Sequence, residues 1–323
     1  MLHRIRALAL STLAFLALAA APARAQMGGT IKFYIGAAPG GPVETYARVL
    51  ADHMSRTLGA NIVIEVRPGA NGVVAANVVQ DAPADGRSVW VATQSMIEIN
   101  PLVYSDLRWK IDDFMPVIKG VEAPLALVTN PEVPAKTLPE LIDWIRKNPG
   151  KLSMSSYSPG TPGHFLGVQM NERFGLDLAQ VPYKGSAPQI TDTLGGYSKL
   201  GFFQTAPVIP HLQAGALRAI AVTSARRFSP MPDTPTFTEL GYPDFLATVW
   251  YGLLVKKGTP ADVVAKIAEA AKAAHADKQV QVAFKALGVD VVAVTEPNFG
   301  ASIRAGAEHW GRLVKATGFK ATE

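Results

Sequence analysis

Backbone amides at the starts of helices are the groups in this sequence best placed to do chemistry, because three small-residue turns each feed a segment with helical patterning. The first turn is Ala38-Pro39-Gly40-Gly41-Pro42. It lies between an apolar β-like run, Ile31 to Ile35, and a segment in which Val43, Tyr46, Ala47, Leu50, Met54 and Leu58 recur at helical spacing. A helix start carries unpaired N–H groups and the positive end of the macrodipole, and glycines allow close approach, so such a turn favours an anion such as a carboxylate. The second turn runs from Ser155 through Ser158 to His164. Thr161 stands in the capping position, Pro162 in the first helical position, Gly163 and His164 follow, and Phe165, Leu166, Met170 and Phe174 form an apolar side before Gly175. In the third, Val181 to Ser186, Ser186 is expected to cap a short helix carrying Ile190 and Leu194 and closed by Gly195-Gly196. Lys184 and Gly185 precede that cap, and the lysine could offset ligand charge.

Other chemistries lack their residues. A nucleotide-binding P-loop needs Gly-Lys-Ser/Thr where this chain has Gly41-Pro42-Val43, and neither G-x-G-x-x-G nor G-x-S-x-G occurs. The six histidines, His3, His53, His164, His211, His275 and His309, are scattered without H-E-x-x-H spacing, and cysteine is absent. Thiol nucleophiles, thiolate metal sites, disulfides and a lipidated cysteine are therefore excluded. The sequence thus gives catalysis no support and calls for no cofactor or metal.

The first residues read as an export signal. His3, Arg4 and Arg6 precede an apolar stretch, Leu8 to Ala20, and Ala23-Arg24-Ala25 forms an A-x-A site, so residues 1–25 are expected to be removed. The apolar stretch is shorter than the ~20 residues a membrane span requires. Arg4, Arg6 and Arg24 leave with the signal and no acidic residue does, so the net charge of +5 falls to +2. The remaining basic residues are scattered pairs such as Arg226-Arg227, not the stripe that nucleic acid requires. A periplasmic location without a lipid anchor follows.

Roughly three hundred mature residues exceed one comfortable core and fit two lobes. β-like runs at Ile62 to Val66, Ser88 to Ala92, Leu125 to Thr129, Leu152 to Ser155 and Leu217 to Val222 alternate with helical patterns at Ala75 to Val79, Leu138 to Lys147 and Ala261 to Ala276. That alternation predicts an α/β fold with mainly parallel sheets. Two extended segments, Val117 to Thr129 and Phe245 to Val255, are candidates to cross between lobes. The expectation is a first lobe of 26–125 plus 250–323, a second of 126–249, a two-strand hinge, and a ligand held between them. Trp250 and Tyr251 on the second crossing are read as structural.

The motif order resembles the Bug-type periplasmic receptors of tripartite tricarboxylate transporters. The resemblance rests on Ala38-Pro39-Gly40-Gly41, Arg67-Pro68-Gly69-Ala70-Asn71-Gly72, Ala84-Asp85-Gly86, Ile99-Asn100-Pro101, Val181-Pro182-Tyr183-Lys184-Gly185, Leu217 to Thr223, Asp233-Thr234-Pro235-Thr236 and Trp250 to Leu254. It implies a hinged, two-lobed periplasmic-binding fold of type II-like form, monomeric, that closes on a small carboxylate. The resemblance allows a di- or tricarboxylate or an aromatic acid, passed to a permease of one large and one small subunit. A ligand-sensing adaptor docking on a membrane signalling protein remains the alternative. By position the resemblance places the ligand at Ala38 to Gly41, at Thr93-Gln94-Ser95, at Ser158 to His164 and at Lys184-Gly185-Ser186, with Phe203 to Ala206 on the far side. Three positions depart from the family pattern: Glu44 replaces a usual aspartate, Lys199 an aspartate, and Phe203-Gln204 an Asp-Ser or Asp-Asn pair. The last change implies a ligand with an apolar body and no amine near its distal end.

Overall fold

The computed structural model describes residues 27–321, so the expected export signal lies outside the described residues. The alternating patterns become strands β1 (Thr30–Ile35), β2 (Asn61–Val66), β3 (Ser88–Thr93), β4 (Phe114–Thr129), β5 (Ser153–Ser156), β6 (Ala179–Pro182), β7 (Leu200–Gln204), β8 (Arg218–Val222), β9 (Thr248–Lys256) and β10 (Asp290–Val294). Helices α1 (Pro42–Leu58), α2 (Val73–Asp81), α3 (Leu138–Lys147), α4 (Pro162–Phe174), α5 (Ser186–Leu194), α6 (Thr205–Gln213), α7 (Ala261–Ala276), α8 (Lys278–Ala286) and α9 (Asn298–Thr317) cover them. Local signals set several boundaries. Proline occupies the first turn of α1, α3 and α4, and left-handed glycines, Gly59 at φ 58° and Gly175 at φ 60°, end α1 and α4.

The strands run in the order β2-β1-β3-β9-β4-β7-β5-β6, with β8 and β10 also paired to β4. The β2-β1-β3 group is parallel, as is β6-β5-β7, and each group is one α/β lobe. Antiparallel β4 and β9 join them. The 16-residue β4 changes partners along its length: Phe114 to Pro124 face β9, whereas Leu125 to Thr129 face β7. Register shifts near Val117 and Gly120 bend it on the way.

Apolar burial follows from the patterns. Ile31, Phe33, Tyr46, Leu50 and Met54 are fully covered in one core with Ile267, Ala271 and Phe284. Each fully buried aliphatic or phenyl side chain contributes about 1.5–3 kcal/mol. A polar pair lies inside this core. His275 Nδ1 is 2.7 Å from the Ala271 carbonyl and must donate to it, which leaves Nε2 to accept from Tyr46 Oη at 3.4 Å. Only glycine fits opposite: a Cβ on Gly120 would lie 2.1 Å from Tyr46 Oη and 2.3 Å from His275 Nε2. Burial pushes the His275 imidazole down to about 4 and raises the Tyr46 phenol. The largest core joins residues of the second lobe, such as Leu127, Phe165 and Phe202, to Ile99 and Val103 and to Trp310, Leu313 and Val314 of α9. The C-terminal helix therefore straps both lobes.

Candidate functional site

Strand ends and helix starts from both lobes meet at a cleft of about 430 Å³. From the first lobe come Gly36 to Ala38, Gly41 to Val43, Asn71 and Thr93 to Met96; from the second come Tyr157, Ser158, Thr161, Pro162, Gly185, Ser186 and Gln204. Val249 and Tyr251 of β9 form the floor.

Close backbone packing builds the first wall. Gly36 follows β1 directly against Gly72, where an added Cβ would lie 2.3 Å from the Gly72 Cα, and Gly72 in turn packs on Met96. Asn71 adopts φ 48° and is held by reciprocal amide bonds with Asn100, of 2.8 and 2.9 Å. Glu44 closes the turn before α1. Its carboxylate accepts from the Gly40 N–H at 2.8 Å and from Arg48 Nε at 2.7 Å, and those bonds hold it below the usual carboxylate range. The residue whose extra methylene departs from the family pattern thus reaches back four positions and clamps the turn. Gly41 caps α1 without a side-chain bond, and the Val43 and Glu44 amides find no acceptor among the described residues.

The second wall corrects two details read from sequence. Thr161 does occupy the cap position of α4, but its hydroxyl donates to the Ser158 carbonyl at 2.7 Å rather than accepting from the helix. Gly185, not Ser186, occupies the cap of α5 at φ 117°, where only glycine is comfortable. Ser186 Oγ instead donates to Gln204 Oε1 at 2.9 Å. In consequence the two helix starts present backbone rather than capping hydroxyls, and the Tyr157 phenol stands beside Thr161 and the Gly163 amide.

Of the residues expected at the ligand, Ala38, Gly41, Thr93, Gln94, Ser95, Ser158, Thr161, Pro162, Gly185, Ser186 and Gln204 line the cleft, whereas Pro39, Gly40, Gly163, His164, Lys184 and Phe203 do not. Pro39 and Gly40 form the exposed outside of the first turn, and Gly163 is buried beneath the Tyr157 ring. His164 points the other way: Nδ1 accepts from the Gly160 N–H, and the ring packs edge-on against Phe319 at 5.3 Å. Burial lowers its pKa, which favours the neutral ring. Lys184 is exposed outside the cleft. Phe203 is wholly buried among Ala126, Val128, Ile190 and Val208, because neighbouring strand residues face opposite sides and the cleft lies beyond the strand's end, at Gln204. Sequence reasoning omitted Asn71, Tyr157 and Tyr251. The Asn71-Gly72 motif was the available signal for the first, and an aromatic residue within a strand signals only burial.

No charged side chain lines the cleft among the described residues. A buried carboxyl lies behind it. Glu98, 3% exposed, accepts from Gln94 Nε2 at 2.8 Å, Trp250 Nε1 at 2.9 Å and Trp310 Nε1 at 3.1 Å. These bonds tie the cleft wall, the crossing strand β9 and helix α9 together, and they orient the Gln94 amide. Burial pushes the Glu98 carboxyl up to about 7 despite three donors that favour its ionised form. An anion in the cleft is therefore left to backbone N–H groups, the hydroxyls of Ser95 and Ser158, and side-chain amides. A second carboxylate there would meet no acidic neighbour, and an ammonium would meet no counter-ion.

The sequence pattern of the tripartite tricarboxylate transporter family receptors matches residues 46–319. The chain belongs to that receptor family. It is 31% identical over 284 residues to protein BugT of Bordetella pertussis, the match covering 87% of each chain. Two solved structures are similar throughout. Rpa4515 of R. palustris, described with adipate, is 27% identical with a TM-score of 0.78, covering 90% of this chain and 98% of that one. MatC of Rhodopseudomonas palustris, with bound malate, is 27% identical with a TM-score of 0.73, covering 88% and 99%. The family is one of solute-binding receptors, not enzymes, and its two-lobed α/β fold is the fold described above.

Proposed function

We propose that this receptor works in the periplasm, where it captures a small carboxylate between its lobes and delivers it to a membrane permease of one large and one small subunit. The observation that carries the reading is a cleft lined from both lobes by helix starts and hydroxyls, with no charged side chain. The start of α1 faces it from one lobe, and the starts of α4 and α5 from the other. Each helix dipole is worth about 0.3–1 kcal/mol to a nearby anion, more when water is excluded. Both lobes hold the anion fully only when the cleft is shut, so ligand favours the closed state by that difference in contacts. The lobes are taken as 26–125 with 250–323 and 126–249, with the hinge in β4 and β9. The adipate and malate of the two related structures support a carboxylate ligand. Among the described residues no helix is long and apolar enough to cross a membrane.

The chain beginning at Gln26, freed of bound ligand, tests the reading in a thermal-shift screen of carboxylates, amino acids and sugars. A ligand at a hundred times its dissociation constant stabilises the fold by about 2.7 kcal/mol. Shifts confined to carboxylates are expected; shifts with sugars alone, or none with folded protein, would refute the carboxylate ligand. Deleting the gene should abolish uptake of the identified acid. Intact uptake with a lost transcriptional response would point instead to the sensory adaptor.

A further inference from the structure

Beyond Gln204 and Tyr251 a side pocket of about 30 Å³ adjoins the cleft at the seam between the lobes. Pro42, Gln204, Val249 and Tyr251 line both cavities, so the pocket adjoins the cleft. Its other walls are apolar: Ala123 to Leu125 of β4, Ala206 and Pro207 at the start of α6, and Leu287 and Val289 before β10. Two side-chain oxygens on its rim are already engaged. Thr205 Oγ1 donates to the Pro124 carbonyl at 3.2 Å, and Gln204 Oε1 accepts from Ser186. Three prolines offer no N–H. A water molecule needs two to four polar partners, most of the lining offers none, and the space matches about one methyl-sized group.

We propose that the ligand of this receptor is a carboxylate bearing a small alkyl branch, and that the branch fills the side pocket while the carboxylate lies at the helix starts. The inference rests on the carboxylate reading of the cleft. Lobe closure builds the pocket, since Pro42, Leu287 and Val289 come from one lobe and Ala206 and Pro207 from the other. An unbranched acid leaves it empty. A branched one gains contact with both lobes, so the pocket discriminates between acids that present the same carboxylate. The apolar preference that the sequence assigned to Phe203 is supplied here by different residues.

Isothermal titration of the mature chain with two matched pairs, succinate against methylsuccinate and glutarate against 3-methylglutarate, tests the proposal. Burying one methylene is worth about fourfold in affinity, so the branched acid of at least one pair should bind about fourfold or more tightly. Ala123→Leu on β4 and Leu287→Phe before β10 each fill the pocket, and with melting transitions showing that they fold, each should erase the preference. Equal or weaker binding of both branched acids by the wild-type chain would overturn the proposal and leave the carboxylate reading standing. A preference that survives unchanged in both variants would also overturn it. Failure of all four acids to bind overturns the branch proposal, while the carboxylate reading stands or falls with the wider thermal-shift screen.

Discussion

Replacing Glu98 by glutamine should make the protein more sensitive to acid, and replacing His275 by phenylalanine should make it less so. Both groups are buried and both titrate far from their ordinary range, but in opposite senses. Glu98 ionises at about 7 against an ordinary 4.5. Over that window the folded state holds a proton the unfolded chain has lost, so stability rises as pH falls through 7 and the gain is complete below 4.5. His275 protonates at about 4 against an ordinary 6.5. There the unfolded chain takes the proton first, so the stability His275 contributes is complete above 6.5 and is lost as pH falls through 4. Between about pH 7.5 and about pH 5, each linkage amounts to about 2 kcal/mol, and the two largely offset in the wild-type chain.

The half-buried His164 and His309, whose pKa values burial lowers, add their own losses on the acid side, so the informative quantity is the difference from wild type. Urea unfolding at the two pH values supplies it. Glu98→Gln should lose about 2 kcal/mol more than wild type on acidification, and His275→Phe about 2 kcal/mol less. The glutamine keeps an acceptor for Trp250 or Trp310, so the variant is expected to fold. If Glu98→Gln tracks the wild-type pH profile, Glu98 ionises in its ordinary range and the desolvation reasoning is wrong. If His275→Phe does so, the imidazole is not buried as a neutral group.

Three further substitutions separate the cleft from its supports. Gly36→Ala forces a Cβ to within 2.3 Å of the Gly72 backbone, so the melting transition should drop by the equivalent of about 1–3 kcal/mol, with weakened ligand binding; an unchanged melting point would show that the wall yields. Phe203→Ala empties a wholly buried site and should cost about 3–5 kcal/mol in denaturant titration, yet leave the ranking of acids unchanged; a reordered ranking would return Phe203 to the ligand. Glu44→Ala releases the Gly40 amide and Arg48, and should weaken carboxylate binding by about three- to tenfold in calorimetry, against tighter binding if the lost negative charge matters more than the loosened turn.

The helix starts were legible because their signals are local. Gly41-Pro42, Thr161-Pro162 and Gly175 mark boundaries by what their own backbones allow, and the structure places α1 and α4 accordingly. Helix α6 was missed because Pro207 and Pro210 lie in and near its first turns and read as loop. The error over Phe203 has a different origin. Phe202 and Phe203 are adjacent on β7, enter different cores, and neither reaches the cleft, so composition at that position carried no information about which residue faces ligand. Tyr251 and Trp250 likewise share a strand and part company, the first to the cleft floor, the second to Glu98. That carboxylate gathers partners 152 and 212 residues away, a meeting no local pattern records.

The division between legible and illegible parts follows the physics of the site. Anion binding by backbone amides asks only for a helix start and small residues, so it is written in local sequence and tolerates varied side chains around it. Specificity comes instead from surfaces assembled across the lobes: the Gln94 amide oriented by Glu98, and the seam where Pro42 meets Pro207 and Val289. In such a receptor the carboxylate supplies a shared anchor, while selection among acids rests on apolar walls that exist only when both lobes meet. Changes at Ala123 or Leu287 should therefore alter which acid is taken up without abolishing carboxylate binding, whereas changes at Gly36 should weaken every acid alike.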